Sequence, residues 1–287
     1  MRLRYLVGYG TPFLTAYSKI RWILSTGDLG YVRILMYHNI PEEKFAQFER
    51  QITYFASQYQ FLTPLQFQEF IQGKYSIVGI RLLITFDDGF KSNRIVAEKF
   101  LNPFGIKGVF FVPTEFIGLQ DANKRNEFIV KQIYKSIATD PEISPDMEPL
   151  AWKDLEYLLE QGHAIGCHTK NHKRLPELYS KEELYDEIVE SGNILEKKLG
   201  VPINYFAYPF GDIDSVSKLA MKVVKSRYKY CFSGVRGPNY FPVDTCAILR
   251  DTISLDDPLS YVRFIVEGGL DIIYRKKARR LLVLTRD

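Results

Sequence analysis

The sequence predicts an α/β fold built on a parallel sheet, and three observations predict it. Short apolar runs recur along the chain, and stretches with apolar residues at three- and four-residue spacing separate them. Chemically capable residues follow directly on several of the runs, where parallel α/β folds carry their reactive groups, at strand C-terminal ends. Strands alternating with helices imply βαβ units, and about six such units fit a barrel as readily as an open sheet.

The elements follow in order. Residues 32–37 read as a strand, and 45–59 as a helix with Phe48, Ile52 and Phe55 on one side. Thr63 and Pro64 precede a helix over 65–71. A buried strand over 81–86 leads into a helix over 95–101, and 107–112 is a third strand, ended by Pro113. The stretch 115–150 is more polar and less regular, as in an insertion. A helix over 152–160 closes at Gly162, and 163–167 is a short strand. Ser180 and Glu183 form a capping box for a helix over 180–199 that Gly200 ends. Strands over 203–208, 230–233 and 246–250 and helices over 216–227 and 259–265 complete the pattern.

With 287 residues, 46% of them hydrophobic, the chain can bury a large core. We expect an N-terminal helical segment over 1–30 and one barrel domain over 31–287 with an insertion near 115–150. The 38 basic and 34 acidic residues leave a charge of +4, too mild an excess to point to nucleic acid as a partner. Cys167, Cys231 and Cys246 are odd in number and far apart, so they spell neither a disulfide framework nor a CxxC zinc pattern.

Arg2 and Arg4 open the chain, but Gly8, Gly10 and Pro12 interrupt the residues after them, and no secretory signal is legible. No run of about eighteen apolar residues occurs. The expected location is cytoplasmic. Peripheral contact with the inner membrane face is open through Phe13, Tyr17, Trp22 and Ile23 beside basic residues, and through the basic tail over 275–280.

Three motifs sit at predicted strand ends. Thr85-Phe86-Asp87-Asp88-Gly89 pairs two carboxylates, which are costly to bring together without a cation beside them. Neighbouring side chains on extended backbone diverge, so one can bind a metal while the other faces a substrate. His168-Thr169-Lys170-Asn171-His172 spaces two of the chain's four histidines as on one helical turn, where they can share a metal. Phe206-Ala207-Tyr208-Pro209-Phe210-Gly211 ends in a turn able to aim a backbone N–H at an oxyanion.

In this order the motifs resemble the polysaccharide deacetylases, carbohydrate esterase family 4, of the chitooligosaccharide and exopolysaccharide type. The resemblance runs from about Tyr31 to Ser254 and implies a distorted (β/α) barrel. It implies a metal-dependent hydrolase that removes N-acetyl groups from an acetamido sugar in a polysaccharide, oligosaccharide or glycan precursor. By the same resemblance Asp87 is the general base, while Asp88, His168 and His172 hold one divalent ion, Zn²⁺ foremost, with Co²⁺ or Ni²⁺ as alternatives. The Phe210 N–H holds the oxyanion, with Tyr208 and Pro209 beside it at the substrate, and the Thr169 hydroxyl braces the histidine loop.

Two positions depart from the family pattern. Ala207 stands where most members have an arginine that orients the base, and Arg250 is the candidate to replace it by pairing with Asp87 or a neighbouring carboxylate. No histidine follows His172, so the family's late general acid is missing. His163 opens the strand that His168 closes, about 16 Å away at 3.3 Å per residue, and reads as structural. His38, just after the first strand, is the candidate acid. Carbohydrate O-acetyl esterase activity and an inactive carbohydrate-binding relative are the competing readings.

Overall fold

The computed structural model describes residues 30–135, 143–144 and 147–286. The N-terminal helical segment and its amphipathic residues therefore lie outside the described residues, Gly30 excepted. In chain order the elements are β1 (Tyr31–Tyr37), α1 (Phe45–Gln58), β2 (Gln60–Phe61), α2 (Pro64–Ile71), β3 (Ile80–Phe86) and α3 (Lys91–Val96). Then come β4 (Gly108–Val112), α4 (Ala122–Phe128), α5 (Trp152–Glu160), β5 (Ala164–Cys167), α6 (Lys181–Leu184) and α7 (Ser191–Leu199). The chain continues with β6 (Tyr205–Ala207), α8 (Lys218–Arg227), β7 (Tyr230–Phe232), β8 (Asn239–Tyr240), β9 (Asp251–Thr252), α9 (Leu259–Val266) and α10 (Asp271–Arg286).

Local chemistry explains most boundaries. Thr63 accepts from the Gln66 amide while Gln66 bonds back, a full capping box with Pro64 at the first helical position of α2. Ser180 and Glu183 do the same for α6. The expected long helix over 180–199 is present, but Tyr185–Glu190 forms a π-helical turn between α6 and α7. Gly200 ends α7 with φ 67°. Helix α8 begins later than the apolar pattern suggests, because Ser217 caps it by accepting from the Ala220 amide.

The strands form one mixed sheet in the order β7-β6-β5-β4-β3-β1-β8, with β2 added to β3 and β9 to β1. All the pairings are parallel except that of β1 with β8. The sheet curls into the distorted (β/α) barrel. The expected strand over 246–250 is not one. Asp244 draws the amides of Cys246 and Ala247 into a turn, leaving a single parallel bridge from Ile248 to Phe232 of β7. Three residues later β9 pairs with β1, so this irregular segment spans the seam between the two sides of the barrel.

Side-chain alternation sorts the core into two layers. Val32, Ile34, Leu83, Val109, Phe111, Tyr205, Ala207 and Phe232 point inward and pack together. Leu35, Tyr37, Ile84, Phe86, Phe110, Ile165, Cys167, Phe206 and Tyr208 point outward against the helices. Inside, Gly166 is required: a Cβ there would stand 2.5 Å from the Phe111 ring. Following the inward set to the strand C-terminal ends leads to Met36, Asp87 and His168, which line one cleft.

Candidate active site

The cleft, about 360 Å³ in volume, is lined by His38, Asp87, Asp88, His168, His172, Phe210 and Gly211, together with Met36, Ile133 and Tyr134. Asp87 continues the inward register of Thr85. The chain then swings through Asp88 at φ 72° and Gly89 at φ 74°, which turns the second carboxylate back toward the mouth. The non-glycine residues with positive φ among those described are Asp88, Thr169, His172 and Phe210, all in these motifs. Such backbone costs of order 1–3 kcal/mol per residue and persists where the surroundings over-determine it.

Asp88, His168 and His172 each offer one ligand atom within 4.8 Å of the others, and all three side chains are buried. Asp88 Oδ1 lies 3.5 Å from His168 Nε2 and 3.2 Å from His172 Nε2. The other ring nitrogens face backbone carbonyls: His168 Nδ1 is 2.7 Å from the Ala207 oxygen and His172 Nδ1 is 2.9 Å from the Gln132 oxygen. Those acceptors place the proton on Nδ1 and leave Nε2 as a lone pair aimed at the carboxylate. Three lone pairs then face one point, an arrangement that a cation completes. Ligand atoms about 2.0–2.1 Å from a tetrahedral ion stand roughly 3.3 Å apart, so the observed spacing fits.

The histidines do not sit on a helical turn. They lie in a loop after β5 whose reversals at Thr169 (φ 66°) and His172 (φ 55°) bring both rings to Asp88. Nor does the Thr169 hydroxyl brace the loop, since it is buried with no hydrogen-bond partner among the described residues. The brace is Glu187, in the π-helical turn. Its buried carboxylate accepts from the Lys170 amide at 3.1 Å, the Asn171 amide at 2.8 Å and Asn171 Nδ2 at 2.8 Å. Nothing local in the sequence marks that contact; only the one-residue offset of a π-bulge, common at functional sites, could have hinted at it.

Asp87 is held by Arg250. The guanidinium donates to Asp87 Oδ1 at 2.6 Å and Oδ2 at 2.7 Å, and to the Ser233 carbonyl at 2.7 Å, with both side chains buried. Burial opposes ionisation of Asp87, but the Arg250 guanidinium outweighs it and holds the carboxyl below the usual range.

His38 is exposed and lines the cleft; its carbonyl accepts from Asn93 Nδ2 at 2.8 Å. His163 is not among the residues that line the cleft; its Nδ1 accepts from the Gly108 amide and its Nε2 is 3.1 Å from Asn102 Oδ1. Tyr208 and Pro209 do not reach the substrate space. Both are buried, and because Ala207 points inward, alternation turns Tyr208 outward into the helical layer. Phe210, half-buried at φ 64°, does line the cleft. From the insertion, Tyr134 enters the cleft; burial and then Asp88 push its phenol up to about 12, so it remains a donor at neutral pH.

A polysaccharide deacetylase family model matches residues 79–228. The chain belongs to the polysaccharide deacetylase family. Membership assigns it carbohydrate deacetylation, with acetylated carbohydrate as the substrate class. Solved structures agree on the fold. The Streptococcus pyogenes deacetylase PplD, in complex with acetate, is 19% identical over 82% of this chain and 97% of its own, with a TM-score of 0.62. IcaB from Ammonifex degensii is 18% identical over 84% and 98%, TM-score 0.59. A de-N-acetylase from Aggregatibacter actinomycetemcomitans is 15% identical over 82% and 99%, TM-score 0.59. No curated protein sequence matches. His38 and Arg250 both fall outside the span that matches the family model.

Proposed function

We propose that this deacetylase is a metal-dependent hydrolase that removes N-acetyl groups from acetamido sugars. The observation that carries the reading is the convergence of Asp88, His168 and His172 on one point beside a second carboxylate that Arg250 keeps ionised. A divalent cation held by the three, Zn²⁺ foremost, supplies positive charge that polarises the acetyl carbonyl and acidifies water.

The chain's own groups divide the remaining work. Asp87, fixed by the bidentate Arg250 fork, accepts the proton of the attacking water as oxygen adds to the acetyl carbon. The Phe210 N–H, aimed by its left-handed backbone, donates to the developing oxyanion. His38 donates a proton to the sugar nitrogen as the C–N bond breaks, so that acetate and a free amine leave. Tyr134 and Met36 bound the space in which the sugar lies.

The name of one solved relative, a de-N-acetylase, accords with an amide substrate. The test is acetate release from N-acetylated and O-acetylated oligosaccharides, before and after chelation. Release from the amide that chelation abolishes and Zn²⁺ restores is the expected result. Release from esters alone makes the enzyme an O-deacetylase, and ion binding without release makes it an inactive binder.

A further inference from the structure

Helices α8 and α10 carry ten of the chain's 38 basic residues and, as acid, Asp271 alone. The chain as a whole exceeds neutrality by only four charges, so the rest of it is net negative and the positive charge is concentrated on this pair. Asp271 does not offset it outward, because it bonds Arg33 at 2.7 Å on the inner side. The two helices are joined: Lys225 Nζ donates to the Thr285 carbonyl, and Leu281 and Thr285 are the buried residues of α10.

The outer face of α10 is not simply polar. Ile272 is 87% exposed, Ile273 71% and Val283 61%. They share that face with Lys276 and Arg279 at helical three- and four-residue spacing. Beside it runs an open groove lined by Ile213, Val216 and Leu284 and by Lys218, Arg279, Arg280 and Asp214, the last paired to Arg280. The same helix is tied to the segment that follows Phe210, through Lys277 to Asp212 at 2.7 Å and Arg280 to Asp214 at 3.1 Å.

We infer that this face docks on an anionic phospholipid bilayer, with the cations at headgroup phosphates and Ile272, Ile273 and Val283 in the interfacial layer. Cations alone would fit any polyanion. Aliphatic side chains standing in water among those cations fit the bilayer boundary, where both kinds of group are satisfied at once. The bond from α10 to the loop after Phe210 places the cleft rim beside that surface. The docking is independent of which acetyl bond the enzyme cleaves.

Sedimentation of the full chain with vesicles tests it without turnover. Vesicles of about one-third phosphatidylserine in phosphatidylcholine bind at least roughly tenfold more tightly than pure phosphatidylcholine, and about 0.5 M salt removes the difference. Arg275→Glu with Lys276→Glu and Arg279→Glu abolishes that preference. Ile272→Ser with Ile273→Ser leaves the charge intact and weakens vesicle binding several-fold. Both variants keep wild-type turnover of a soluble oligosaccharide, which shows that they fold. Equal binding to neutral and anionic vesicles overturns the inference. So does an isoleucine variant that binds vesicles as the wild type does, or duplex DNA that binds the chain as tightly as the vesicles.

Discussion

Arg250 closes a two-pronged hydrogen bond on Asp87 inside the barrel, with Nη1 2.6 Å from Oδ1 and Nη2 2.7 Å from Oδ2. The guanidinium also lies 5.2 Å over the Phe111 ring, so it is positioned by packing as well as by charge. Arg250→Ala leaves Asp87 as an uncompensated buried charge and costs about 3–5 kcal/mol of stability. In the folded fraction, kcat falls by about 10²-fold because Asp87, the proposed base, loses its orientation. Arg250→Lys restores the charge but not the fork, and recovers stability more than kcat. Denaturant melts and steady-state kinetics on the same preparations check both.

Glu187 ties down the loop that carries His168 and His172, and on the proposed function it acts through that loop on cation binding. Glu187→Ala frees the Lys170 and Asn171 amides and weakens Zn²⁺ binding by about 10–100-fold, the usual cost of removing a group that positions a ligand. Asp88→Asn and His172→Ala weaken it further. Competition with a chromogenic chelator measures all three, and saturating Zn²⁺ restores turnover in Glu187→Ala alone. Unchanged affinity in Glu187→Ala would confine Glu187 to a purely structural role.

His38→Ala is expected to retain the cation while kcat falls by about 10²–10⁴-fold, the range for a positioned acid. A substrate with a leaving group that needs no proton, such as an aryl acetate, recovers most of the loss.

His163 gives the fold a pH dependence separate from catalysis. Burial, with Lys107 adding, lowers its pKa from 6.5 to about 4. The folded chain therefore holds it neutral while the unfolded chain protonates it first. Stability is full above pH 6.5, is lost as pH falls toward 4, and the loss reaches about 3 kcal/mol. His163→Gln flattens the dependence of unfolding free energy on pH in that window, which urea titrations at stepped pH can measure.

The cluster of Asp87, Asp88, His168 and His172 was legible because these residues lie in two contiguous motifs at strand ends, close in sequence to the strands that aim them. The barrel was legible from the alternation of apolar runs with helical spacing. What escaped depends on contacts between distant residues. The carbonyls of Ala207 and Gln132 that set the imidazole tautomers carry no side-chain signature, and Glu187 reads as one more acid on a charged helix. The parity of Tyr208 with Ala207 turns its side chain into the helical layer. The segment around Arg250 looked like a strand because its apolar residues serve one bridge and a turn instead of a ladder.

The seam that this segment spans has a mechanical corollary. Asp88 and the two histidines are carried by the continuous run of β3, β4 and β5, whereas Arg250 reaches Asp87 only while the chain between β7 and β1 stays in place. A transient parting there would withdraw the guanidinium and leave the cluster of Asp88, His168 and His172 intact. The integrity of that cluster and the orientation of Asp87 thus answer to different parts of the barrel, and a loosened enzyme would fall silent before it fell apart.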